Sequence, residues 1–422
     1  MASDRHRLLS NMASLFTLQG ANYALPLVTL PYLVRVLGPE KFGLIAFAQA
    51  FIQYFVVATD YGFNLSATRD VAVHRDDPQK LGEIIGAVMT IKIALAMVGA
   101  LVLACLVLLI PTFRQHWPLY SVVYLTVIGA TFFPTWLFQG LERMRDITWM
   151  NVSARLVTTA CIFIFIQGPK DFVIAGAIQS IPVALAAIPA WAVLRRSHRI
   201  GLRLPRAAVL YAQLKDGWHV FLSTAAINVY TSSNTFVLGL IAGPVAVGYF
   251  SAANKLVQAV QGLLTPITQT LYPHISALAA RSRAEALDFI RKVLKWIAPA
   301  SFALSGLVWS AAGPLVGLIL GDRYTPAVSV LAWLAFLPFI IALSNVFGIQ
   351  TMLTFGMNRI FSRILIASAG LNLVLIFPLA WRFGANGAAM SMLCTETFVT
   401  ASMAWMLHRR GINLYLPLRE AV

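Results

Sequence analysis

Gly38-Pro39-Glu40-Lys41-Phe42-Gly43-Leu44-Ile45-Ala46-Phe47-Ala48 is echoed 205 residues later by Gly243-Pro244-Val245-Ala246-Val247-Gly248-Tyr249-Phe250-Ser251-Ala252-Ala253, in a shared GPxxxGxxxxA pattern. Each copy separates two long apolar runs. Proline lacks the N–H that a helix interior needs and glycine adopts backbone angles closed to other residues, so each pair reads as a break between two helices. A second echo, Gly176-Ala177-x-x-Ser180 against Gly387-Ala388-x-x-Ser391, recurs at an offset of 211. Two matches in the same order make the chain a tandem of two halves, expected at 1–205 and 206–422.

Outward from these breaks, apolar runs of membrane-spanning length fill the chain. A hydrocarbon core about 30 Å thick asks for roughly 20 apolar residues per helix. Such runs lie near 13–36, 42–64, 83–110, 119–140, 147–167, 171–194, 218–241, 246–271, 297–320, 327–354, 360–381 and 385–407. The chain is 59% hydrophobic and 11% charged, against roughly 45–50% and 25% for a soluble domain. The expected fold is an all-α integral membrane protein of about twelve transmembrane helices in two parallel-repeat six-helix bundles. Residues 1–10 are polar and basic, and the run after them is too long and polar for a cleaved signal sequence, so it is expected to remain as the first span.

A formal charge of +16 could suggest nucleic acid, but sidedness accounts for most of it. With the N-terminus inside, 23 of the 32 Lys and Arg fall on cytoplasmic segments and 6 on the opposite side. That bias sets both termini in the cytoplasm by the positive-inside rule and leaves no nucleic-acid partner to invoke. Cys105, Cys161 and Cys394 lie in apolar runs without CxxC spacing, and read as packing residues rather than metal ligands.

An even number of spans per half makes the repeat parallel, a construction that places its site at the repeat interface. Polar residues at helical spacing mark the faces expected to line it. Asn254, Gln258, Gln261, Thr265 and Thr268 form one stripe on span 8, and Thr224, Asn228, Thr231 and Thr235 another on span 7. Span 1 adds Gln19, Asn22 and Thr29, and span 2 adds Gln49, Gln53 and Asp60. Under the repeat offset Gln49 falls on Asn254 and Gln53 on Gln258. These amides and hydroxyls serve either as a cavity lining or as interhelical glue.

Lys92, Arg155, Lys255 and Glu396 lie deep in their spans, where a charge costs at least ~2.5–3.5 kcal/mol. One of the cations can pair with Glu396. The surplus of positive charge suits an anion, and phosphate oxygens above all. Asp60 and Arg35, nearer the ends of their spans, are candidates for gating, and Asp60 and Glu396 for ion coupling; interface anchoring is the plainer role for Asp60 and Arg35. The sequence holds no GxxxxGK[ST], HExxH, GxSxG or DxD motif, so a transporter without catalytic residues, metal or cofactor is expected rather than an enzyme.

The assembled motifs resemble those of Wzx-type O-antigen or exopolysaccharide repeat-unit flippases, the polysaccharide branch of the multidrug/oligosaccharidyl-lipid/polysaccharide exporter superfamily. The resemblance covers essentially the whole chain. It is carried by Gln19-Gly20-x-Asn22-Tyr23, Pro31-Tyr32-Leu33-Val34-Arg35-x-Leu37-Gly38-Pro39-Glu40, Tyr61-Gly62-Phe63-Asn64-Leu65 and Trp136-Leu137-Phe138-Gln139-Gly140. Gly217-x-His219-Val220-Phe221, Gln261-Gly262-Leu263-Leu264 with Pro266-Ile267-Thr268-Gln269, and Ser344-Asn345 with Gly348-Ile349-Gln350 extend it into the second half.

The resemblance implies alternating-access transfer of an undecaprenyl-diphosphate-linked oligosaccharide from the cytoplasmic to the periplasmic leaflet of a bacterial inner membrane, coupled to an ion gradient. Membrane lipids, a polysaccharide polymerase and a chain-length regulator are the partners it implies. Three other readings stay open, one of them a non-transporting scaffold in an assembly complex, which would tolerate loss of every midplane charge. A drug exporter of the same superfamily would show an acidic cavity, and a membrane glycan polymerase or ligase would show a large outer loop bearing catalytic side chains.

Overall fold

The computed structural model describes residues 2–197 and 205–414; side chains are described from residue 25 onward, except at 195–197 and at scattered positions between 219 and 270. All regular structure among the described residues is helical. The chain packs as two compact units, Met1–Ser232 and Ser233–Val422. Residues 206–232, which the repeat assigns to the second half, pack with the first.

Unit 1 opens with α1 (Ala2–Asp60), followed by α2 (Phe63–Val73) and α3 (Pro78–Leu109). The next crossing is assembled from short helices, α4 (Pro111–Gln115), α5 (Trp117–Val123), α6 (Leu125–Phe132) and α7 (Thr135–Gly140). Then come α8 (Met144–Phe165), α9 (Phe172–Ser197) and the first turns of α10 (Ala207–Arg281). Unit 2 holds the rest of α10, then α11 (Arg283–Ser310), α12 (Ala312–Leu315), α13 (Ala327–Leu334), α14 (Leu337–Asn345), α15 (Asn358–Phe383) and α16 (Ala385–Arg409).

The quoted repeats do what their chemistry predicts. At 1.5 Å per residue a straight α1 would run about 88 Å, nearly three bilayer cores. It is broken at Gly38 (φ 71°, ψ 172°), and α10 is broken at Gly243 (φ 79°, ψ 178°). Those angles lie in a region that only glycine occupies without strain. One residue therefore separates helix from helix in each half, with no loop.

Among the described residues nine helical stretches are long and apolar enough to cross a membrane. Two of them, Leu25–Val73 and Ser232–Gly262, run through the breaks at Gly38 and Gly243, in helices α1 and α10 that each cover two of the expected spans. With α16 these give the twelve expected segments. α16 falls short of the apolar standard because it carries Ser391, Thr395, Glu396 and Thr400, all of them buried.

Burial runs opposite to that of a soluble protein. In Pro78–Leu109 only 22% of the most apolar stretch is buried, while Leu101, Leu108, Leu109, Leu318 and Val374 lie exposed. Such an apolar exterior needs hydrocarbon around it. Inside unit 1, Phe63, Ile85, Trp136, Leu137 and Phe138 form a tight core; in unit 2, Ile290, Val346, Phe347 and Met403 do the same. The chain is a multi-pass membrane protein.

Candidate functional site

The polar groups of unit 1 gather where α1 ends. Asp60 is its last residue, and α3 brings Lys92 alongside: Lys92 Nζ lies 3.5 Å from Asp60 Oδ1. The ammonium is the more deeply placed partner, with its side chain 3% exposed against 16% for the carboxylate. α3 is started by Asp77, whose side chain accepts from Gln79 N and Lys80 N at 3.0 and 3.1 Å, with Pro78 in the first turn. Directly after Asp60, Tyr61 turns the chain at φ 46°, and its ring stacks on Phe221 at 5.0 Å and 9°. Asp60 is thus fixed from both sides of the sequence.

Of the deep cations, Lys92 meets Asp60. Arg155 lies exposed on α8. Lys255 is half-buried on α10, and Glu396 is 7% exposed on α16. Arg35 lies exposed on α1.

Several residues of the stripes bond to neighbouring helices or to their own. Gln49 Nε2 donates to Gln179 Oε1 on α9 at 3.2 Å, which is interhelical glue. Asn228 Nδ2 donates back to Thr224 O at 2.9 Å. Gln350 Nε2 donates to Thr268 O at 2.7 Å and ties the stretch after α14 to α10. Gln53 is half-buried, Gln258 exposed and Gln261 half-buried, while Asn254 buries an Oδ1 that accepts no hydrogen bond. The side chains of Gln19, Asn22, Thr231 and Thr265 lie outside the described residues.

Unit 2 contains a polar centre that the sequence reading missed. Asn372 on α15 is fully buried, and its Nδ2 lies 3.2 Å from Asn234 Oδ1, 3.2 Å from Ser391 Oγ and 3.1 Å from Thr395 Oγ1. Asn372 Oδ1 and Asn234 Nδ2 are buried and find no hydrogen-bond partner. An unsatisfied buried amide costs about 1–3 kcal/mol, so the node holds unused bonding capacity. Glu396 follows Thr395 on the same helix. The signal available was that Asn372 is the single amide deep in span 11, and that Ser391 belongs to the second repeat echo.

An apolar exterior around helical units with sparse buried polar centres is that of an integral membrane protein. Solved structures agree on the fold. An inward-facing multidrug resistance MATE family transporter of the MOP superfamily superposes with TM-score 0.71 at 15% identity, over 92% of this chain and 95% of that one. The lipid II flippase MurJ, in an inward closed conformation, gives 0.67 at 13% identity over 95% and 87%.

The family model for "Polysaccharide biosynthesis protein" matches residues 8–279. Proteins named "Putative O-antigen transporter" align from Escherichia coli (strain K12), 40% identical over 96% of this chain and 97% of that protein, and from Shigella dysenteriae, 33% identical over 93% and 98%. The chain belongs to the polysaccharide biosynthesis protein family and has a MATE-like fold.

Proposed function

We propose that the protein is a flippase for O-antigen or exopolysaccharide repeat units. Its cargo is an undecaprenyl-diphosphate-linked oligosaccharide, moved from the cytoplasmic to the periplasmic leaflet of a bacterial inner membrane, with both termini cytoplasmic. The observation that carries this reading is the 40% identity, over nearly the whole chain, to a protein named as an O-antigen transporter. The fold shared with a lipid II flippase supports a lipid-borne cargo. A polysaccharide polymerase and a chain-length regulator would take the product onward.

In this mechanism Arg155 and Lys255 hold the diphosphate or acidic sugars, and the amides Gln19, Asn22, Gln53, Asn228, Asn254, Gln258 and Gln261 hydrogen-bond the glycan. The Lys92–Asp60 pair acts as the coupling element. Protonation of Asp60 removes its hold on Lys92, and the freed ammonium is then available to an anionic cargo; an ion gradient thereby biases one conformation over another. Glu396, beside the Asn372 node, is the second coupling carboxylate. Arg35 serves at a gate.

The test is a deletion strain complemented with variants. Loss of the gene leaves lipid-linked oligosaccharide on the cytoplasmic leaflet, read by mass analysis and leaflet-specific labelling, and the wild-type gene clears it. No accumulation there would overturn flipping. Lys255→Ala at normal membrane level with full surface polysaccharide would remove the cationic site while leaving flipping intact.

A further inference from the structure

A cavity of about 390 Å³ opens at one end of unit 2, lined by Arg283, Phe355, Met357, Arg410 and Ile412. This is at the low end of the roughly 300–1,000 Å³ typical of small-ligand sites. The charge bias of the sequence puts this end of the spans at the cytoplasmic membrane surface.

Two helix endings build its floor. After α16, Gly411 N donates to His408 O at 3.0 Å and Ile412 N to Leu407 O at 3.0 Å. At the turn after residue 353, Gly356 N donates to Leu353 O at 3.1 Å and Met357 N to Met352 O at 2.8 Å. Both are the double-bonded glycine stop that ends many helices. They set Ile412 and Met357 side by side as a buried apolar base. Arg291, 8% exposed, pins the C-terminal segment by donating from Nε and Nη2 to Asn413 O at 3.1 and 2.8 Å.

The rim is cationic. Arg283, in the first turn of α11, lays its guanidinium over the Phe355 ring at 5.5 Å, and Arg410 caps α16. Neither makes an ion pair with any described residue. Asp288, one turn further along α11, is engaged by Lys292 at 2.8 Å, and Glu285 lies in α11's first turn. The two helix C-termini contribute roughly half a negative charge each, and the α11 N-terminus a similar positive one; two guanidiniums outweigh them.

We propose that this pocket binds the phosphate headgroup of an anionic phospholipid. The two arginines take the phosphate and the Phe355, Met357 and Ile412 surface takes the glycerol and the first carbons of the tails. The site is independent of the transported cargo, and Arg291 is its positioning residue.

Native mass spectrometry of the full-length protein in detergent tests it, with phosphatidylglycerol against phosphatidylcholine. Wild type should retain phosphatidylglycerol preferentially, and Arg283→Ala with Arg410→Ala should weaken retention by about tenfold or more. Arg291→Ala should weaken it with both rim arginines present, and Arg283→Lys with Arg410→Lys should keep part of it. Lys80→Ala, an exposed cation of unit 1, should change nothing. Equal retention by the double alanine variant, equal loss at Lys80→Ala, or equal retention of the two lipids overturns the site. Displacement by soluble glycerol 1-phosphate at matched concentration would assign it to free phosphate esters and overturn the lipid.

Discussion

The two units are built alike and centred differently. Each contains one single-glycine break within a long helix, at Gly38 or Gly243. Unit 1 then buries a charge pair, Lys92 with Asp60, whereas unit 2 buries a node of amides and hydroxyls around Asn372. An ion pair is a two-state device, because one proton dissolves it. A neutral node keeps its bonds over the ordinary pH range. The repeat thus preserves geometry while the halves take different electrical roles.

That contrast is breakable. Lys92→Ala leaves the half-buried Asp60 carboxylate without its cation, and removing one partner of a buried pair typically costs ~3–5 kcal/mol. We expect a large fall in melting temperature in detergent and loss of surface polysaccharide. Replacing both partners, Lys92→Met with Asp60→Leu, should restore most of the melting temperature and none of the transport. Restored transport would make the pair structural only.

Gly243→Ala and Gly38→Ala should each cost about 1–3 kcal/mol in unfolding measurements, because both sites need backbone angles that strain an alanine. No neighbouring atom lies within 4 Å of a Cβ built on Gly243, so the loss there reports backbone strain alone. A neutral result at one site and not the other would end the equivalence of the two joints. Asn372→Ala takes away the shared donor of the unit 2 node and should cost about 1–3 kcal/mol, with little dependence on pH.

The smallest effect belongs to His116, beside Phe172 and outside the spans of unit 1. Burial, and then the nearby Lys41, hold its imidazole below the usual histidine range, with Glu40 partly offsetting them. Below about pH 6.5 the unfolded chain takes up a proton that the folded form resists, so stability falls as pH drops toward 5. His116→Gln should flatten that slope in melting curves between pH 7 and 5.

The fold was legible because its determinants are local. Glycine-proline breaks and apolar run lengths report on residues within a few positions, and the helices and both joints stand where those residues put them. The site was legible only in part. Lys92 and Asp60 were each singled out, but reading depth residue by residue along separate spans assigned them to different levels. It ignores the reach of a lysine side chain and the packing of α3 against the end of α1. The Asn372 node escaped because its members, Asn234, Asn372, Ser391 and Thr395, come from three different helices, and only packing collects them. Gln49, by contrast, lay on an evident stripe and proved to be glue to Gln179.

A joint one residue long has no slack. An insertion after Gly38 or Gly243 must unwind a helix to find room. Each of these two connections is thus fixed in length by the helices on either side of it.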